Sequence, residues 1–242
     1  MSNARLKAAV LISGSGSNLK ALIEAVANEQ LALDIVRVIS NREEAGGLKY
    51  ARESGIPVSV IPHQQFANRD EHDRAIATAL QQSSTQNQGP ELIILAGYMR
   101  ILGADFARLF SHRMINLHPS LLPLYKGLDT YNRAIAAGDQ YLGASIHVVT
   151  ADLDDGPVIS QVRIPIEDTD DAASLAAKLG PLEHQLLVAT VRQLCNGKLK
   201  MQPTACAGST SDTTKLEFEG AELHQPLKLQ ADGSLNSTFW SD

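Results

Sequence analysis

The 242-residue chain has 44% hydrophobic and 20% charged residues, which excludes wholesale disorder and fibrous repeats and leaves room for one generous domain or two small ones. A formal charge of −6 argues against a broad nucleic-acid footprint, although a few local donors suffice to hold a small anionic ligand. No apolar run approaches the roughly 18–20 residues of a membrane-spanning helix. No signal-peptide core precedes the first strand-like segment, and Cys195 and Cys206 make neither a disulfide framework nor a zinc spacing, so a cytoplasmic protein without metal is expected.

In chain order, the continuous apolar run at 8–12 reads as a strand buried on both faces. It runs through Ser13-Gly14-Ser15-Gly16-Ser17-Asn18 into a helix with Leu19, Leu22, Ile23, Ala25 and Val26 in periodic positions. A strand at 35–39, a helix at 48–54, a strand at 58–61 and a helix at 69–82 follow, then a polar loop at 83–90 and the clearest strand, at 92–96. A helix at 104–110, a strand at 114–118 ended by Pro119, and a helix at 131–137 stopped by Gly138 continue the alternation. Segments 145–149 and 158–164 alternate more strongly and suit an antiparallel pair. The longest helix is expected at 172–195, with Gly180-Pro181 as the place for a kink. Residues 204–214 read as a loose loop and 216–229 as a terminal hairpin about Gly220. Short apolar strands alternating with helices of about 10–15 residues predict an α/β fold, a doubly wound, mostly parallel sheet flanked by helices, with antiparallel strands late in the chain.

Three constellations carry chemistry. The glycine-rich turn at 14–18 presents backbone N–H groups at the positive end of a helix, with Ser17 and Asn18 as added donors; it reads equally as an anion site or as a tight turn with an N-cap. It is neither a dinucleotide fingerprint, which wants glycine at Leu19, nor a nucleotide-triphosphate loop, which wants Gly-Lys-Ser/Thr. In the second, Asn116 and His118 lie two apart in a strand and therefore on one face, at the strand end where open α/β sheets place ligands. An Asn amide suits an oxyanion and an imidazole suits proton transfer near neutral pH; a buried structural pair is the competing reading. The third, Asp152-Leu153-Asp154-Asp155-Gly156-Pro157, reads as a turn or as a carboxylate that orients a histidine. His147 reads as core or as support for the site, and Glu183-His184 as a solvated helix face.

Taken together, these segments resemble the glycinamide ribonucleotide formyltransferase family. The matching strings are residues 11–19, 95–102, 116–123 with Gly127-Leu128, Leu153-Asp154 with Gly156-Pro157-Val158-Ile159 and Gln161, and Glu183-His184, in family order across roughly 6 to 202. The resemblance implies a Rossmann-like formyltransferase domain at 1–202 followed by an extension at 203–242. It also implies formyl transfer from 10-formyltetrahydrofolate, as co-substrate, to the amine of glycinamide ribonucleotide in purine synthesis. Asn116, His118 and Asp154 match the family's catalytic trio, and Gly16, Ser17 and Asn18 its substrate-phosphate loop. Glu183 falls where a carboxylate meets the glycinamide end. Arg69, Met99, Arg100, Ile101 and Leu102, with Asn116, match its folate contacts. Small-molecule partners, no nucleic acid, no membrane, and a monomer or homodimer are implied. Asp154 is expected to raise the His118 pKa. Asp129 and Tyr131 replace family histidines, Lys126 a proline and Asp155 a small residue. The alternatives are a formyltetrahydrofolate hydrolase, a methionyl-tRNA formyltransferase, which should carry a basic C-terminal domain, and an idle binding module on the same fold.

Overall fold

Five consecutive residues of the first strand, Ala8 to Ile12, are wholly inaccessible, as a strand covered on both faces requires. The structure, a computed structural model, describes residues 5–82, 89–204 and 214–237. Most of the two expected loops, 83–88 and 205–213, and Cys206 with them, lie outside the described residues. The chain divides into two compact units, 1–116 and 117–242.

The first unit contains β1 (Leu6–Ile12), α1 (Ser17–Ala27), β2 (Leu33–Ser40), α2 (Leu48–Glu53), β3 (Val58–Val60), α3 (Arg69–Gln81), β4 (Leu92–Leu95), α4 (Ala104–Leu109) and the start of β5 (Met114–His118). Its strands run in the order β5-β4-β1-β2-β3, and every pairing is parallel. Order reverses at β1, since β2 and β3 build to one side and β4 and β5 to the other; this is the doubly wound arrangement expected. In such sheets the crevice for ligands opens beyond the carboxyl ends of the strands at the reversal, here the ends of β1 and β4. α1 buries Leu19, Leu22 and Ala25, one stripe of a 3.6-residue period. α3 is capped by Asn68, whose side chain accepts the Glu71 N–H at 3.0 Å.

The second unit contains the end of β5, α5 (Thr130–Ala137), β6 (Tyr141–Val148), β7 (Val158–Pro165), α6 (Ala172–Cys195), β8 (Leu199–Pro203), β9 (Thr214–Phe218), β10 (Ala221–Glu222), β11 (Leu227–Leu229) and β12 (Leu235–Asn236). β6 and β7 pair antiparallel, as expected. β6 begins four residues earlier than its alternation suggests, because Gly143 hides the pattern: a Cβ there would lie 2.0 Å from the Val162 carbonyl oxygen. The hairpin expected across 216–229 is shorter. β9 and β10 turn about Glu219-Gly220 in a separate antiparallel sheet with β8, whereas β11 leaves it to run parallel with β7 and antiparallel with β12. α6 stays helical through Gly180 and Pro181; Asp171 and Ser174 close a reciprocal cap at its start.

Candidate active site

At the carboxyl end of β1, the chain enters α1 through Gly16, whose left-handed backbone (φ 73°) no side chain caps. A Cβ on Gly16 would sit 2.4 Å from the Gly47 Cα, and one on Gly47 2.8 Å from the Gly16 Cα, so the turn depends on two bare backbones in contact. The Gly47 N–H donates to the Gly14 carbonyl at 3.0 Å. At the start of α1, Ser17 is exposed, whereas the Asn18 Oδ1 is buried without a partner among the described residues. Beyond the end of β4, Met99 and Ile101 are 61% and 52% exposed, two large apolar side chains within three residues. Ser13 joins the two strand ends: its hydroxyl donates to Asn41 Oδ1 at 2.6 Å and accepts the Met99 N–H at 2.8 Å. Arg69 opens α3 beside Gly103, its Nε 3.6 Å from where a Gly103 Cβ would stand. A cavity of about 260 Å³ lined by Asp70, Asp73, Arg74, Gly103 and Phe106 lies next to this segment, and none of Met99 to Leu102 lines it.

A cluster of titratable side chains gathers around His118 in the second unit. Asn116 and His118 stand two apart in β5 and so share one face of that strand. His118 is 5% exposed; its Nδ1 lies 3.4 Å from Asp154 Oδ2, and its Nε2 2.9 Å from the Tyr125 carbonyl oxygen. A carbonyl only accepts, so Nε2 carries the proton. Asp154 is held from three directions. The Gly127 N–H donates to Oδ2 at 2.9 Å, His147 Nε2 lies 3.5 Å from Oδ1, and His118 faces Oδ2. Burial pushes the Asp154 carboxyl up, but the His147 hydrogen bond, the Gly127 N–H and the His118 charge outweigh it and hold the group below its ordinary range. The sequence-based expectation for His118 is corrected. Burial dominates and holds the ring below its ordinary pKa, although the Tyr125 carbonyl and Asp154 do pull upward. Both Asp154 (φ 48°) and Tyr125 (φ 53°) adopt the left-handed backbone rarely used by residues with a side chain.

His147 is the residue that sequence reasoning left in the background. Its ring, 2% exposed, stands edge-on to His118 at 6.4 Å between centroids; its Nδ1 donates to the Val148 carbonyl at 2.9 Å, and the opposite nitrogen, Nε2, faces Asp154 Oδ1. Its place at the end of a strand preceding the aspartate turn was the available signal. Glu183 on α6 meets Tyr131 on α5, whose hydroxyl donates to Oε1 at 3.5 Å; burial raises the Glu183 carboxyl to about 7. Two of the positions that depart from the family strings answer each other, since Lys126 and Asp155 form an ion pair.

Residues 6–191 match the family model described as formyl transferase. The chain is 37% identical over 196 residues to the phosphoribosylglycinamide formyltransferase of Escherichia coli K12, across 81% of this chain and 90% of that one. It is 39% identical over 205 residues to a trifunctional purine biosynthetic protein adenosine-3 of Drosophila melanogaster, and spans only 15% of that longer protein. Among solved structures, a phosphoribosylglycinamide formyltransferase from Coxiella burnetii superposes with a TM-score of 0.79 at 39% identity, covering 90% of this chain and 95% of the other. The chain belongs to the formyl transferase family. Among the described residues, no helix is long and apolar enough to cross a membrane.

Proposed function

We propose that this chain transfers the formyl group of 10-formyltetrahydrofolate to the amine of 5'-phosphoribosylglycinamide, a cytoplasmic step of purine synthesis. The observation that carries the reading is the buried His118–Asp154 contact, with Asp154 fixed by His147 and Gly127. The amine attacks the formyl carbon, a C–N bond forms, and the carbonyl π pair moves onto oxygen. The Asn116 amide and the His118 Nε2–H are the donors for that oxyanion, and the Tyr125 carbonyl must yield its place on Nε2 for this to occur. As charge develops on the oxygen, the ring takes up a proton from water, and Asp154 stabilises the resulting imidazolium. The amine then gives a proton back to water, the imidazolium Nε2 gives one to the folate nitrogen and returns to the neutral ring, and the C–N bond to folate breaks as the oxyanion collapses.

The uncapped turn of Gly16, Ser17 and Asn18 suits the substrate phosphate, which a helix N-terminus attracts through its free N–H groups and dipole. Glu183, with its Tyr131 donor, suits the cationic glycinamide end. The exposed apolar side chains of Met99 and Ile101, with Arg100, Leu102 and Arg69, suit an aromatic donor that ends in carboxylates. Consumption of the formyl donor with and without phosphoribosylglycinamide tests the reaction: transfer requires the amine, whereas a hydrolase consumes the donor regardless. His118→Ala should lower kcat by about 10²–10⁴-fold while substrate dissociation constants stay near wild type. Near-normal turnover in that variant would falsify the assignment.

A further inference from the structure

A connected set of buried polar side chains in the second unit lies outside the machinery assigned above. It starts on β11, beyond the residues matched by the family model. Leu227 and Leu229 anchor this short strand at 0% and 7% exposure, and Lys228, between them, pairs in register with Gln161 of β7. Register partners present their side chains on the same face of a sheet. The Lys228 ammonium donates to Gln161 Oε1 at 3.0 Å. An ammonium has donors only, so it dictates which end of the amide faces it. The Gln161 NH2 group is thereby turned the other way, where it donates to the Leu122 carbonyl and to Ser145 Oγ, each at 3.0 Å. A flipped amide would set NH2 against the ammonium and one carbonyl oxygen against another.

Ser145 is then complete. Its hydroxyl donates to the Ser120 carbonyl at 2.7 Å and accepts from the Leu122 N–H at 3.1 Å as well as from Gln161. Ser120 in turn donates to the Leu124 carbonyl at 2.6 Å, and the next residue supplies the carbonyl that meets His118 Nε2. Ser120 and Ser145 are wholly buried and Gln161 is 6% exposed, so no water is at hand to replace a lost partner.

We infer that Lys228 is a positioning residue for the transfer reaction: by fixing the Gln161 amide it holds segment 120–125, and with it the Tyr125 carbonyl on His118. The inference rests on the proposed activity, but half of its test does not. The Lys228 amine is half-buried, and this desolvation, with the nearby Arg163 charge, depresses its pKa below the ordinary value; it is a cost that strand anchoring alone does not require, because the flanking leucines supply that.

The experiment compares the full-length wild type with Lys228→Met, which keeps the apolar stem, Lys228→Arg, which keeps the charged donor, and Leu227→Ala, which weakens the strand without touching the amine. Steady-state kcat and KM are measured together with amide hydrogen exchange in peptides covering 119–128. Lys228→Met should lower kcat about tenfold and speed exchange in that segment. Lys228→Arg should stay within about twofold of wild type, and Leu227→Ala should lower Tm while leaving kcat unchanged at the assay temperature. Wild-type kcat and exchange in Lys228→Met overturn the inference, as does an equal kcat loss in all three variants, which would mark mere strand docking. Should Lys228→Met fail to fold, Gln161→Leu takes its place: faster exchange in 119–128 supports the inference and unchanged exchange overturns it. If the wild type shows no amine-dependent transfer, the activity reading fails, while the exchange comparison still decides what Lys228 orders.

Discussion

At the scale of single residues, His118 is a ring under opposed pressures. Burial favours its neutral form, and two acceptors, one at each nitrogen, favour the charged one. Replacing Asp154 by Asn removes the upward pull of the carboxylate and leaves the ring as buried as before. The His118 ring in Asp154→Asn should therefore titrate at lower pH than in wild type, itself already below the ordinary value of about 6.5. NMR titration of the ring Cε1 proton measures this, and an unchanged or higher value contradicts the assigned geometry. Asn is also the cleanest neutral replacement, because it tolerates the left-handed backbone that Asp154 adopts at φ 48°. Much of this site was legible in the sequence. Asn116 and His118 follow from strand alternation and the strand end, but the sequence left Asp154 open between turn and partner. What brings it to the histidine is a non-glycine left-handed turn and a second histidine, His147, two features with no periodic signature. The sign of the His118 shift was illegible for a related reason: it is a balance between burial and partners, and burial belongs to the fold.

At the scale of elements, the contact between the turn before α1 and the start of α2 is the tightest constraint on the proposed phosphate loop. Gly47 has an ordinary backbone (φ −66°), so conformational strain does not enter; only contact does. Gly47→Ala would place a methyl group 2.8 Å from both the Gly16 Cα and Ile12 Cδ1 and force the turn outward. A loss of about 1–3 kcal/mol in denaturant unfolding is expected, with a rise in KM for the phosphorylated substrate and little change in kcat. A variant as stable as wild type would show that the two backbones part freely. Strands β1 and β4 were readable because continuous apolar runs bounded by glycine or proline admit few other structures, and β5 because Met114, Ile115 and Leu117 lead directly into Pro119. β8 was not, and β11 was read as part of the 216–229 hairpin, since short strands with polar residues between apolar ones do not show which element they pair with.

At the scale of the whole molecule, three buried groups set opposing pH dependences. The lowered pKa values of His118 and Asp154 contribute stability that is present above the unfolded values of about 6.5 and 3.9 and is lost as pH falls through the folded ones. Glu183 has the other sign. Its folded value of about 7 lies above the unfolded one, so its contribution is present in acid and is lost as pH rises through 7. Glu183→Gln should consequently raise Tm at pH 8 by roughly 3–6 °C, the equivalent of about 1–2 kcal/mol, and change it little at pH 4.5. Thermal melts at the two pH values check this, and an equal shift at both would mean that the carboxyl does not titrate as assigned. The parallel seat of β11 on β7 has a further consequence, for biogenesis. The strand that closes this rim is translated about 60 residues after the one it covers, which at 5–20 residues per second is a wait of roughly 3–12 s. Throughout that interval the nascent chain carries an open backbone edge on β7, an exposure to aggregation that ends only once β11 has been made and has paired.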